Sequence, residues 1–272
     1  MSARRLRWAS FLAPNMAPVY EFIAAFVGDR LGYETSFSIG RSFAEFESGA
    51  TDIGFICGLP YVELTRLDPA PVELLAAPVL RGDRYENRPI YFSDVIVSSA
   101  SGAASFDDLG GSSWSYNEPH SHSGYNIVCH RLTTMGKDAG FFGAIVGAGW
   151  HQRSIEMVAE RVVDASAIDS QVLAIEMRER PKLAERIKII DVLGPSTIQP
   201  VVAAARLDNR LKDDIRQALV ELARDKDARQ AIAYGFVARW EEIDDSVYDD
   251  IRSMLEVVES AGVTLANKGS LR

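Results

Sequence analysis

The chain has 272 residues, 47% of them hydrophobic and 25% charged, which fits an ordered globular protein of one large domain or two lobes and excludes a disordered chain. Its formal net charge of −9 argues against nucleic-acid or anionic-membrane partners, since both need clustered Lys and Arg. A small anion is not excluded, because backbone amides and helix dipoles can hold one inside an acidic protein.

The N-terminal stretch MSARRLRWASFLAPN is basic but lacks an apolar core followed by a small-residue cleavage site, so no secretory signal is expected in this sequence. No run reaches the roughly 20 apolar residues of a spanning helix. The chain is therefore expected to be cytoplasmic, or a mature or trimmed form of an exported protein. LRWASFLA reads as a first strand. Val19, Phe22, Ile23, Phe26, Val27 and Leu31 then fall on one helical face closed by Gly32. ETSFSI alternates as a strand, SFAEFESG is a short helix ended by Gly49, and TDIGFICG is a buried strand. A loop rich in Arg, Gly, Asp and Asn follows VELLAAPVL, and IYFSDVIVSS is a long strand.

SGAASFDDLGG reads as a small-residue linker, with a lobe boundary placed just before it, near residues 98–101. Beyond it, SSWSYN is a strand, and a helix carries Tyr125, Val128, Cys129 and Leu132 on one side before Gly136. FFGAIVGAGWH reads as a glycine-spaced loop. A helix with Ile155, Val158, Ala159 and Val162, a strand VDASAID, a helix to about Arg186 and a strand IKIIDVL complete this part. GPSTIQP looks like a second crossing between lobes. The last third holds a strand VVAAARL, a helix with Leu211, Ile215, Ala218, Leu219 and Leu222, and a final helix from about Ser246 to Ser260. Alternating strands and helices predict an α/β architecture with parallel-rich sheets covered on both faces.

The segment YNEPHSHSGYN, residues 116–126, places two serines, two histidines and a glycine where a helix is predicted to begin. A helix start leaves amide N–H groups without intrahelical acceptors and carries about half a positive charge. With a start near Ser121 to Ser123, the Ser121 and Ser123 hydroxyls can donate to an oxyanion, His122 flanks them, and Gly124 lets the guest approach the backbone. A serine that only caps the helix is the competing reading. Glu118, His120 and His122 form a poor metal set because no further Cys, His or Asp cluster lies nearby to complete it. A Ser–His nucleophile has no GxSxG elbow, and GAGWH lacks the GxGxxG pattern, so neither catalysis nor a dinucleotide cofactor is expected. Cys57 and Cys129 read as structural thiols, and whether they pair is not legible.

YFSDVIV, SFDDLGGSSWSYNEPHSHSGYN, GAGWHQRSIEMVAERVVDASAID and GPSTIQPVV, with SGATDIGFICGLPYVEL and VYDDIRSMLE, resemble in order the phosphate/phosphonate/phosphite substrate-binding proteins of ABC transporters. The resemblance implies a two-lobed type 2 periplasmic-binding fold, each lobe a mostly parallel sheet flanked by helices. Lobe one is expected at residues 1–97 plus 196–272 and lobe two at 98–195, with two hinge crossings and a tetrahedral phosphorus oxyanion bound between the lobes. It implies a periplasmic setting, an ABC permease partner, no cofactor and no chemical step. The family's Ser-x-Ser-Gly matches Ser121, His122, Ser123 and Gly124, its histidine after a glycine-bearing loop matches His151, and a tyrosine from the first lobe matches Tyr91. From the residues alone, His151 capping its own helix and Tyr91 packing in the core are the competing readings.

Members that take aminoalkylphosphonates place carboxylates where this chain has Gln171 and Gln199. Neutral amides cannot neutralise a buried ammonium, so the expected ligand is phosphate, phosphite, a simple phosphonate or a phosphate ester. Asp169, two residues before Gln171, is the one carboxylate able to substitute, although a structural place at the strand end suits it better. Asn15, Arg41 and Ser42 follow first-lobe strands and are weaker candidates, with a turn and a solvated surface as the competing readings. The alternative function is a cytoplasmic enzyme or sensor on the same fold, such as one related to pyrimidine-precursor synthesis in thiamine biosynthesis.

Overall fold

The computed structural model describes residues 5–265, so the outermost ends of the expected first lobe, residues 1–4 and 266–272, lie outside the described residues. The described chain divides into two compact units, one comprising residues 5–90 and 197–249, the other 91–196 and 250–265.

The first unit opens with β1 (Arg5–Ser10), α1 (Ala17–Leu31), β2 (Glu34–Ile39), α2 (Glu45–Ser48), β3 (Ile53–Phe55), α3 (Gly58–Thr65) and β4 (Val72–Leu80). Gly32 and Gly49 end α1 and α2 with φ of 72° and 77°, the left-handed conformation that glycine adopts without a Cβ clash. The second unit holds β5 (Ile90–Ser98), β6 (Ser113–Tyr116), α4 (Ile127–Thr134), β7 (Ala144–Gly147), α5 (His151–Ala159), β8 (Ala165–Asp169), α6 (Ser170–Glu179), α7 (Pro181–Ala184) and β9 (Ile187–Thr197). The first unit then resumes with β10 (Val201–Ala204), α8 (Asn209–Glu221), α9 (Lys226–Ala233) and β11 (Val237–Glu241). The last helix, α10 (Asp249–Ala261), belongs with the second unit from Asp250 onward.

The first sheet has strand order β11-β4-β10-β3-β1-β2 and the second β7-β6-β8-β5-β9. Parallel pairs join β1 to β2 and β3, and β6 to β7 and β8. The strands entering from elsewhere in the chain pair antiparallel: β10 with β3 and β4, β11 with β4, and β5 with β8. Both sheets are thus mixed, each with a parallel trio at one side, β3-β1-β2 or β7-β6-β8, extended by an antiparallel partner, β10 or β5.

In the first unit, Phe55 lies between Trp8, stacked Tyr20 at 4.0 Å and Trp240. Asp52, buried just before β3, accepts from the Arg7 amide at 2.8 Å, from Arg7 Nε at 2.9 Å and from Arg206 Nη2 at 2.6 Å. Burial alone would raise its carboxyl pKa. The bonds from Arg7 and Arg206 outweigh that and hold it below the usual range. The second unit has its own core around Trp114, Phe106, Phe142, Val128 and Leu132, joined by Val258 and Leu265 from the C-terminal segment.

Several details depart from the sequence reading. The first division falls at residues 90/91, not near 98–101, because β5 pairs with β8 and neighbours β9; residues 91–97 therefore sit in the second unit. Residues 250–265 join that unit too, because Val258 and Leu265 pack into its core. The glycine-spaced loop contains β7, parallel to β6. Helix α5 stops at Ala159: Arg161 takes φ 60°, and Val162 lies outside the helix, about half exposed. Cys57 and Cys129 are not joined in a disulfide, and burial pushes the Cys129 pKa up to about 12.

Candidate functional site

The segment after β6 begins its helix with one wide π-helical turn, His122–Asn126, before α4 takes over. Ser121 is the N-cap, with extended φ/ψ of −83°/130°, and its Oγ accepts from the Gly124 amide at 3.0 Å. The cap satisfies one of the orphan donors of the helix start. Ser121 Oγ lies 3.5 Å from Ser123 Oγ, and Ser123 Oγ lies 3.0 Å from His151 Nε2. Ser121, His122, Ser123 and His151 are all buried.

His151 is the first residue of α5, so it enters the cluster from a second helix start, while the N-cap position itself is Trp150 and carries no side-chain cap. Its Nδ1 is buried with no partner among the described residues. A buried N–H without an acceptor costs more than an idle lone pair, so the proton belongs on Nε2, which donates to Ser123 Oγ. His122 is fixed the same way. Asn126 Nδ2 donates to His122 Nδ1 at 3.2 Å, which leaves the proton on Nε2, and Nε2–H donates to Ser196 Oγ at 2.9 Å. Burial, with a smaller contribution from His130, pushes the His122 pKa down to about 3, and burial alone does the same for His151. Both imidazoles are neutral donors at physiological pH.

Gly124 has a packing reason to be glycine. A Cβ there would lie 2.0 Å from Asn117 Oδ1 and 3.2 Å from His151 Cε1. The missing side chain lets Asn117 and His151 close on the turn. Tyr91, at the start of β5, is buried, with its ring 6.4 Å from that of His122. Tyr91 therefore stands in the second unit, with the serine turn.

Asp169 ends β8 and caps α6, its Oδ1 accepting from the amides of Gln171 at 2.8 Å and Val172 at 3.1 Å. Gln171 is buried in the first turn of α6. The second unit thus holds Tyr91, Ser121, His122, Ser123, Gly124, His151, Asp169 and Gln171. The first unit holds Asn15, Arg41, Ser42 and Gln199. Arg41 and Ser42 are exposed, and both backbone amides donate to Glu45 Oε1. Asn15 lies in the turn before α1, and Gln199 is buried between β9 and β10. Three residues around the turn were not singled out from sequence: Asn126 and Ser196, which hydrogen-bond His122, and Asn117, which packs on Gly124. Asn117 and Asn126 stand in the quoted motif and carried a signal; Ser196 reaches His122 across 74 positions and carried none.

Burial raises the Glu118 carboxyl pKa, with His120 pulling it partly back. Among the described residues, no group of three or more His, Cys, Asp and Glu could hold a metal ion.

The model of a family described as ABC transporter, phosphonate, periplasmic substrate-binding protein matches residues 9–248. The chain belongs to this phosphonate-binding family. Among solved structures, it is similar to a binding-protein component of an ABC phosphonate transporter from Pseudomonas aeruginosa, at 18% identity and TM-score 0.83, covering 99% of this chain and 91% of that one. It is also similar to PhnD1 from Prochlorococcus marinus, solved in complex with methylphosphonate, at 16% identity and TM-score 0.81, covering 94% and 98%. The aliphatic sulphonate binding protein SsuA from Escherichia coli matches at 13% identity and TM-score 0.63, covering 100% and 96%. These likenesses give the fold: a mixed α/β, type 2 periplasmic-binding architecture. Among curated proteins, none matches the chain significantly. The family is a periplasmic substrate-binding component of ABC transporters, and no helix among the described residues is long and apolar enough to cross a membrane.

Proposed function

We propose that this phosphonate-binding-family member is a solute-binding protein for a small phosphorus oxyanion, serving ABC-type uptake or sensing with no chemical step. The observation that carries the reading is the polarity of two buried hydroxyls. Ser121 Oγ accepts from the Gly124 amide, and Ser123 Oγ accepts from His151 Nε2–H. Each oxygen has a lone pair engaged by an N–H, which leaves its own proton available as a donor, to the neighbouring hydroxyl 3.5 Å away or to a bound anion. Two donors of one polarity, side by side at a helix start, suit the oxygens of a tetrahedral anion.

The donors are neutral, and so are Gln171 and Gln199, the residues that replace carboxylates of aminoalkylphosphonate-binding members. The Asp169 Oδ1 is committed to the α6 cap. A ligand with a cationic tail would find no carboxylate at the two glutamine positions, leaving as its counter-charge only Asp169, whose Oδ1 is already held by the α6 cap, and a buried ammonium that is poorly paired costs several kcal/mol. The ligand is accordingly phosphate, phosphite, a simple alkylphosphonate or a phosphate ester. Thermal-shift and calorimetric titration with phosphate, phosphite, methylphosphonate and aminoethylphosphonate test this. Methylphosphonate is expected to bind at least tenfold more tightly than aminoethylphosphonate. The opposite order would reject the glutamine argument, and binding of none of the four would reject the oxyanion. Substitutions at Asn15, Arg41, Ser42 and Gln199 in the same titration show whether the first unit adds to the affinity.

A further inference from the structure

Behind the serine turn runs a second hydrogen-bond string with the same direction as the first. Asn126 donates to His122 Nδ1, and His122 Nε2–H donates to Ser196 Oγ. The string ends on a hydroxyl, as the one from His151 ends on Ser123. Ser196 is buried, and His122 is its one side-chain partner among the described residues. Its lone pair is engaged and its own proton is left to donate.

Ser196 also stands beside residues that the oxyanion reading already uses. It lies near the end of β9, next to Gly194, which takes φ 113°. A Cβ on Gly194 would come within 3.2 Å of the Ser196 amide and 3.4 Å of the Tyr91 carbonyl, so the β9 terminus packs directly on Tyr91. Tyr91 and His122 are ring neighbours at 6.4 Å. A histidine between the two serines of the turn has a specific use here: it reaches past the turn and orients a hydroxyl far away in sequence.

We propose that Ser196 is a third hydroxyl donor to the same oxyanion, oriented by His122, with Asn126 holding His122 in its Nε2–H tautomer. The inference rests on the oxyanion reading and deepens it, giving the guest a hydroxyl from β9 in addition to those of the turn. His122 and Asn126 then act as positioning residues, while Ser196 touches the ligand.

The test is calorimetry of inorganic phosphate and methylphosphonate against wild type, Ser196→Ala, Ser196→Thr and the double variant Ser121→Ala/Ser123→Ala, with nitrogen-15 NMR of the His122 imidazole. A hydrogen bond to an anion predicts about tenfold weaker binding in Ser196→Ala. Ser196→Thr, which keeps the hydroxyl, restores most of the affinity, and NMR finds the His122 proton on Nε2. Ser196 serving only as a brace for His122 predicts lowered thermal stability with ligand affinity within twofold of wild type, which overturns the inference. An Nδ1-protonated His122 overturns it as well. Affinity lost in the double variant but intact in Ser196→Ala rejects Ser196 alone and leaves the oxyanion reading standing. Failure of wild type to bind either anion rejects both.

Discussion

His122 and His151 show how a residue's environment sets its chemistry. Each is neutral because desolvation drives its pKa down to about 3, and each has its proton placed on Nε2 by what surrounds Nδ1. This has a consequence for stability. An unfolded histidine titrates near pH 6.5, about 3.5 units higher, so each imidazole takes up a proton on unfolding anywhere between those limits. The stability they provide is complete above about pH 6.5 and is lost as pH falls toward 3, at roughly 1.4 kcal/mol per pH unit for each. Urea unfolding should therefore yield a markedly lower free energy at pH 5 than at pH 7, with the pH slope reduced in His151→Gln. A flat profile between these values would mean that one or both imidazoles are not buried as described. At this scale the sequence was informative about type and silent about partners. The two serines and the glycine of the turn were legible as donors at a helix start. That Gly124 clears space for Asn117 and His151, and that His122 reaches Ser196, depends on contacts between segments far apart in the chain.

Secondary-structure elements carry these residues into place, and the readable ones have local signals. Helix α1 has a continuous apolar face and a terminal Gly32, and β5 a long β-branched run; both were predicted close to their observed bounds. Strand β7 was hidden by Gly143 before it and Gly147 as the last of its four residues, since periodicity needs more length than that. Helix α9, of eight residues, and strand β11, of five, were not separated from the surrounding charged sequence; Asp225, which caps α9 by accepting from the Ala228 amide, was the available cue. Among the links between elements, Asp52 is the one most exposed to a single change, since it joins Arg7 on β1 and Arg206 after β10 to the start of β3. Asp52→Asn removes the charge from a buried site that two guanidiniums surround. It should cost about 3 kcal/mol in chemical denaturation. A loss under 0.5 kcal/mol would show that the ion pairs only decorate the edge of the sheet.

For the whole molecule, the alternation of strands and helices was enough for the α/β class, and the order of several motifs was enough for the family. The passages at residues 90/91 and 249/250 were not legible. Residues 91–97 and the C-terminal segment join the second unit through β5 pairing with β8 and through Val258 and Leu265, both long-range choices that no local pattern announces. Assigning them there brings Tyr91 into the same unit as Ser121, Ser123 and His151, so that one compact body carries eight of the twelve expected ligand residues. The account then depends on the Ser121 and Ser123 hydroxyls, each held by an N–H donor with its own proton available to a guest. Isothermal titration of methylphosphonate into wild type and into Ser121→Ala/Ser123→Ala tests that claim most directly. The account predicts measurable binding that the double variant weakens by at least a hundredfold while its melting temperature stays within a few degrees of wild type. Equal affinity in the two proteins would contradict it.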